Sequence, residues 1–170
     1  MKIAGILLVL VSCTGLGIVK SNEMGQRLKL LREWHRILLL LTTEISYHTT
    51  LSDACQNVSR RTGLPFSDFL SDLSLQLVSC EGKSLAEIFS EAAEYNLNNC
   101  SLSGEDIGQI RMLGEMMQGA DRALQKQVLE RHSKELEITI TELRVQLPGK
   151  QKLYRSLGIL GGVFLGILLL

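Results

Sequence analysis

Apolar residues in this chain gather first at the two ends. Ile3 to Val19 is a run of seventeen residues without a formal charge, bounded by Lys2 and Lys20. Leu157 to Leu170 is a second uncharged run, of fourteen residues. A bilayer-spanning helix needs about 20 apolar residues, with a range of about 17–25. The first run meets the lower limit, and the second does so only with snorkelling of its flanks. Both are expected to be membrane helices. Gly5, Gly15 and Gly17 weaken a water-soluble helix, whereas glycine is common in membrane ones. Three other readings of the first run stay open: a cleaved signal, a lipoprotein signal through Leu10-Val11-Ser12-Cys13, and a buried core helix.

Between the ends the apolar positions recur at helical spacing, with no sustained period-two alternation, so strands are not expected. A first helix is expected over about 23–47, its face marked by Leu31, Trp34, Leu38, Leu41 and Ile45. Thr50 and Asp53 form a capping pair for a second helix striped by Leu51, Ala54, Cys55 and Val58. Pro65 suits the first turn of a third, with Phe66, Phe69, Leu70, Leu73 and Leu77 inward. Ser84 and Glu87 make a capping box for a fourth helix, carrying Leu85, Ile88, Phe89 and Ala92 on one face. Ser103 with Asp106 opens a fifth, with Ile107, Ile110, Leu113 and Met117 inward and Gly119 as its stop. The last helix is expected over about 121–147, with Leu129, Leu136 and Leu143 repeating every seven residues, until Pro148-Gly149 breaks it. The fold class is therefore all-α, a bundle of about six helices between an N-terminal and a C-terminal transmembrane helix. The expected divisions are an N-terminal anchor over 1–20, a helical bundle over 21–150 and a C-terminal anchor over 151–170.

Charge adds an orientation. Lys20, Arg27, Lys29, Arg32 and Arg36 follow the first run; Arg144, Lys150, Lys152 and Arg155 precede the second. Both basic flanks belong to the middle of the chain, so by the positive-inside rule residues 20–155 face the cytoplasm. Over the whole chain, 18 basic residues balance 18 acidic ones. That balance argues against nucleic acid as a partner. Residues 63–115 nevertheless hold nine acidic and two basic groups. Such a stretch is a solvated surface, or a face that docks a basic partner. Glu91, Glu94, Glu105 and Asp106 are the candidate contacts.

Reactive chemistry is sparse. There is no phosphate-binding loop, no H-E-x-x-H and no G-x-S-x-G. Cysteines at 13, 55, 80 and 100 have neither zinc nor disulfide-framework spacing. Glu44 and His48 stand four apart, but no third metal ligand can be named. No catalytic residue, metal site or cofactor is assigned.

Several short motifs occur in order. They are Glu44-Ile45-Ser46-Tyr47 with Leu51, then Leu85-Ala86-Glu87-Ile88-Phe89. Leu113-Gly114-Glu115-Met116-Met117-Gln118-Gly119-Ala120-Asp121-Arg122 follows, with Gln125. Tyr154-Arg155-Ser156-Leu157-Gly158-Ile159-Leu160-Gly161-Gly162 comes last. In this order the chain resembles the stage III sporulation protein AB family over nearly its full length. Glu44, Tyr47, Gly114, Asp121, Arg122 and Arg155 fall on the family motifs. Thr50 stands where the family usually has Pro, and Met117 where Leu is common. The resemblance implies a soluble domain like the cytoplasmic domain of the type II secretion platform protein. It further implies a non-enzymatic place in a channel complex between mother cell and forespore. The location would be the outer forespore membrane, facing the mother-cell cytoplasm, with membrane lipid and other membrane subunits of the channel as neighbours. A cytoplasmic secretion-type ATPase is the implied soluble partner. An extracytoplasmic lipoprotein held through Cys13, and an assembly protein of another secretion or pilus system, are the alternatives. At Asp121, helix capping is preferred over partner contact.

Overall fold

The structure, a computed structural model, describes residues 2–79 and 82–168; side chains before residue 22 and over most of 150–168 lie outside the description. Among the described residues the chain is all-α, with six helices and no strand. The helices are α1 (Lys2–Ser46), α2 (Leu51–Ser59), α3 (Phe66–Ser79), α4 (Leu85–Leu97), α5 (Gly104–Met117) and α6 (Arg122–Leu168). The chain divides into two units, residues 30–140 and the two terminal stretches 1–29 with 141–170.

The 30–140 unit is built from the stripes the sequence marks. Leu31, Trp34, Leu38, Leu41 and Ile45 of α1 are all buried, as are Phe66, Phe69, Leu70 and Leu73 of α3. The Trp34 and Phe66 rings stack at 5.5 Å, and Phe69 meets Trp34 edge-on at 5.9 Å. Phe69 also meets Phe89 of α4 edge-on at 6.2 Å. One chain of aromatic rings thus links α1, α3 and α4, each pair adding about 0.5–1.5 kcal/mol beyond the area it buries. Consecutive helices pack as neighbours: α2 on α3, α3 on α4, and α4 on α5. The expected all-round burial of 37–41 is incomplete, since Leu39 is exposed.

Helix ends follow local chemistry. The Thr50 hydroxyl accepts from the Asp53 amide, and the Ser84–Glu87 and Ser103–Asp106 pairs each close a full capping box. Gly119 sits at φ +68°, a conformation that favours glycine, just past the end of α5.

One difference concerns the last helix. α6 does not stop at Pro148-Gly149 but runs on to Leu168. A proline removes one backbone bond and crowds the carbonyl four residues back, which kinks a helix or ends it. α1 begins at Lys2, so the first apolar run and the first bundle helix are continuous. Among the described residues no helix is long and apolar enough to cross a membrane. The side chains of 3–19, and those of 157–170 apart from Leu160, lie outside the description, and the expected spans rest on them.

Candidate functional site

α3 and α4 pack side by side and leave a groove of about 710 Å³ between them. Asp72 and Gln76 line it from α3; Glu91, Glu94 and Tyr95 line it from α4. Asn98 and Asn99, just past α4, complete the lining. A smaller depression of about 330 Å³ shares Asn99 and carries Asp68 and Cys100.

Asp72 accepts from two side-chain amides. Gln76 donates from Nε2 to Asp72 Oδ1 at 3.1 Å, and Asn96 donates from Nδ2 to Oδ2 at 3.1 Å. Asn96 Nδ2 also donates to the Ala92 carbonyl at 2.9 Å. A carboxylate only accepts, so it fixes both amides with their nitrogens inward. Gln76 Oε1 is thereby turned away from Asp72, and it is buried with no donor. An unsatisfied buried carbonyl costs about 1–3 kcal/mol. Glu91 forms an exposed ion pair with Lys83 at 2.6 Å, worth little by itself. The Tyr95 ring is 85% exposed.

The groove brings together two of the four candidate contacts, Glu91 and Glu94. Glu105 and Asp106 lie elsewhere, in the first turn of α5. Glu105 is exposed, whereas Asp106 is buried and accepts from the Ser103 amide at 2.8 Å. Its carboxylate serves the capping box. Asp72, Gln76 and Tyr95 were not singled out from the sequence. Tyr95 beside Glu91 and Glu94 was a visible signal on one helix. Asp72 and Gln76 join it only through the α3–α4 packing, which no local pattern announces.

The motif positions have separate structural settings. Glu44 accepts from Asn57 Nδ2 at 3.1 Å and faces Arg61 Nη1 at 3.7 Å, tying α1 to α2. Arg36 adds a second tie, donating to the Arg61 carbonyl at 2.9 Å. Tyr47 is exposed, in the turn after α1, next to His48 at φ +67°. Gly114 faces Phe89: a Cβ there would stand 2.6 Å from Phe89 Cβ and 3.0 Å from the Leu85 carbonyl. Only glycine permits this approach of α5 to α4. Asp121 accepts from the Leu124 amide at 2.8 Å, the capping role preferred from the sequence. Arg122 is the exposed first residue of α6. The side chains of Arg155 and of Cys13, the lipidation candidate, lie outside the described residues.

Other reactive groups are shielded or scattered. Cys55 is fully buried, and burial pushes its thiol up to about 12. His132 is buried on α6, where loss of solvation holds it below its ordinary value against the opposing charge of Glu135. Among the described residues no three His, Cys, Asp or Glu side chains stand close enough to hold a metal ion.

The sequence matches the family model of Stage III sporulation protein AB over residues 2–170. It is 25% identical to Stage III sporulation protein AB of Bacillus subtilis (strain 168), over 100% of this chain and 99% of that protein. A solved structure of Stage III sporulation protein AB superposes with a TM-score of 0.64 at 23% identity. That likeness covers 71% of this chain and 95% of the other, and concerns the fold.

Proposed function

Because the chain belongs to the stage III sporulation protein AB family, we propose that its role in sporulation is that of a non-enzymatic membrane-anchored adaptor, which couples a cytoplasmic secretion-type ATPase to a channel assembly between mother cell and forespore. The apolar runs 3–19 and 157–170 are the anchors in this reading, and other subunits of the channel meet them in the lipid. The basic flanks favour residues 20–155 on the cytoplasmic side, and the likeness to the family makes that the mother-cell face of the outer forespore membrane in this reading. An ATPase supplies the energy, so the adaptor needs no nucleotide site of its own.

One observation carries the docking assignment. Glu91 and Glu94 open onto a solvent-facing groove of about 710 Å³ rather than lying on a featureless surface. Complementary charge at such a surface speeds encounter and fixes register. The test is capture of the ATPase by the full chain in detergent, comparing wild type with Glu91→Lys/Glu94→Lys. Capture is expected to fall while the unfolding temperature stays unchanged, because Glu91 and Glu94 are exposed. Undiminished capture by the double variant removes the α3–α4 groove as the docking surface.

A further inference from the structure

We infer that copies of this chain associate head to tail, the arginine patch on α1 and the end of α2 of one copy lying against the exposed face of α5 of the next. The inference goes beyond the docking reading and uses neither Glu91 nor Glu94.

The fold makes the patch. Arg32 and Arg36 stand four apart on α1 and are both exposed, so they share one face. Arg61 is 25 residues further along the chain, yet Arg36 Nη2 donates to its carbonyl at 2.9 Å. That bond brings Arg60 and Arg61, both exposed at the end of α2, alongside the α1 pair. Only part of this charge is met within the chain. Glu33 pairs with Arg36 at 2.7 Å, and Glu44 faces Arg61 at 3.7 Å. The guanidiniums of Arg32 and Arg60 have no partner among the described residues. Leu39, seven past Arg32 on the same face, adds an exposed apolar side chain.

α5 carries the counterpart. Glu105 and Glu115 are exposed, and neither has a partner among the described residues. Met112 and Met116 are exposed on the same helix. The spacing matches as well, since Glu105 precedes Met112 by seven residues, as Arg32 precedes Leu39. With the two helices laid parallel, Arg32 meets Glu105 where Leu39 meets Met112. Arg60 and Arg61 then fall near Glu115, because Arg61 stands beside Arg36 and Glu44. A guanidinium grips a carboxylate by its fork, and a thioether side chain adapts to the apolar group set against it. One contact thus covers two faces that are otherwise bare. A lipid surface would answer the arginines and leave the α5 face unmatched. Because the two faces differ, the contact is heterologous: each end copy keeps one face free, and copies add until a ring closes.

The test is sedimentation of the full chain in detergent. Wild type should form oligomers at low salt that dissociate as salt rises. Arg32→Glu/Arg60→Glu should weaken association by about ten-fold or more, the low end for close charge pairs across an interface. Glu105→Lys/Glu115→Lys should do the same. Mixing the two variants should restore association, because each keeps one native face and the two reversed faces match. All four residues are exposed, so the unfolding temperature should move little. Glu91→Lys/Glu94→Lys should associate as wild type does, so this inference and the docking reading fail separately. A wild type that stays monomeric at low salt overturns the inference, and so does a mixture of folded variants that does not associate. If both variants associate as wild type does and only the arginine variant loses binding to micelles doped with anionic lipid, the patch meets lipid and the inference falls.

Discussion

Gly114 shows what a single residue contributes here. In the sequence it is one glycine inside an apolar helix, and its place in a motif says nothing of cause. In the fold it lets α5 approach α4, with Phe89 filling the space a methyl group would need. Gly114→Ala should therefore destabilise the bundle by about 1–3 kcal/mol, the usual cost of overpacking. Gly108, on the same helix with nothing within 4 Å, is the control. Gly108→Ala should be neutral or stabilising by up to about 1 kcal/mol. Urea midpoints of the two variants decide it; equal midpoints would mean that the close approach relaxes at no cost. His132 gives a pH-dependent expectation. Its folded value lies below the ordinary 6.5, chiefly because burial disfavours the charged ring. Above that ordinary value the ring is neutral in both states and stability is complete. As pH falls below it, the unfolded chain takes up the proton first, so stability declines until the folded value is passed. Urea midpoints between pH 7.5 and 5 should show that decline, and His132→Gln should flatten it.

At the scale of elements, the helix starts were the most legible features, because a cap is a contact between residues three apart. Thr50–Asp53, Ser84–Glu87 and Ser103–Asp106 all form as their spacing implies. At Ser84 the exchange is complete: its amide and hydroxyl both donate to Glu87 Oε2, at 2.7 and 2.9 Å. Those bonds hold the Glu87 carboxyl below its ordinary value, so its contribution is present above that value and lost as pH falls through the lowered one. Ser84→Ala should cost about 0.5–2 kcal/mol, read from thermal unfolding. No change would show that α4 is held by packing alone. The stop expected at Pro148 does not occur, for a related reason. A proline is a local signal, but whether it ends a helix depends on what holds the flanks, and α6 continues on both sides. Of the heptad positions of α6, Leu129 and Leu136 are buried and Leu143 is half-buried. The groove was the least legible feature, because the Asp72–Asn96 bond joins residues 24 apart in the chain.

For the whole molecule, the distribution of charge is the argument that links fold to cell. Basic groups cluster at 20–36 and 144–155, beside the apolar ends, while acidic groups fill 63–115. A chain anchored at both ends on the cytoplasmic face would meet the membrane with its basic flanks and a soluble partner with its acidic part. The alternative anchored through Cys13 puts the same bundle outside the cell. The thiols of the chain can separate the two. Cys55 is buried with its thiol pushed up to about 12, so it does not react with maleimides near neutral pH and can be kept. With Cys80→Ser and Cys100→Ser, the exposed position 127 on α6 can carry the reporter as Gln127→Cys. In vegetative cells made to express it, where the far side of the membrane is the medium, a membrane-impermeant maleimide should leave this protein unlabelled until the membrane is opened, with the parent that keeps Gln127 as the blank for Cys13. Protection before permeabilisation means that the acidic groove faces the compartment where a cytoplasmic ATPase could reach it. Labelling of intact cells would place the bundle outside, and the adaptor reading would fall with the topology it needs.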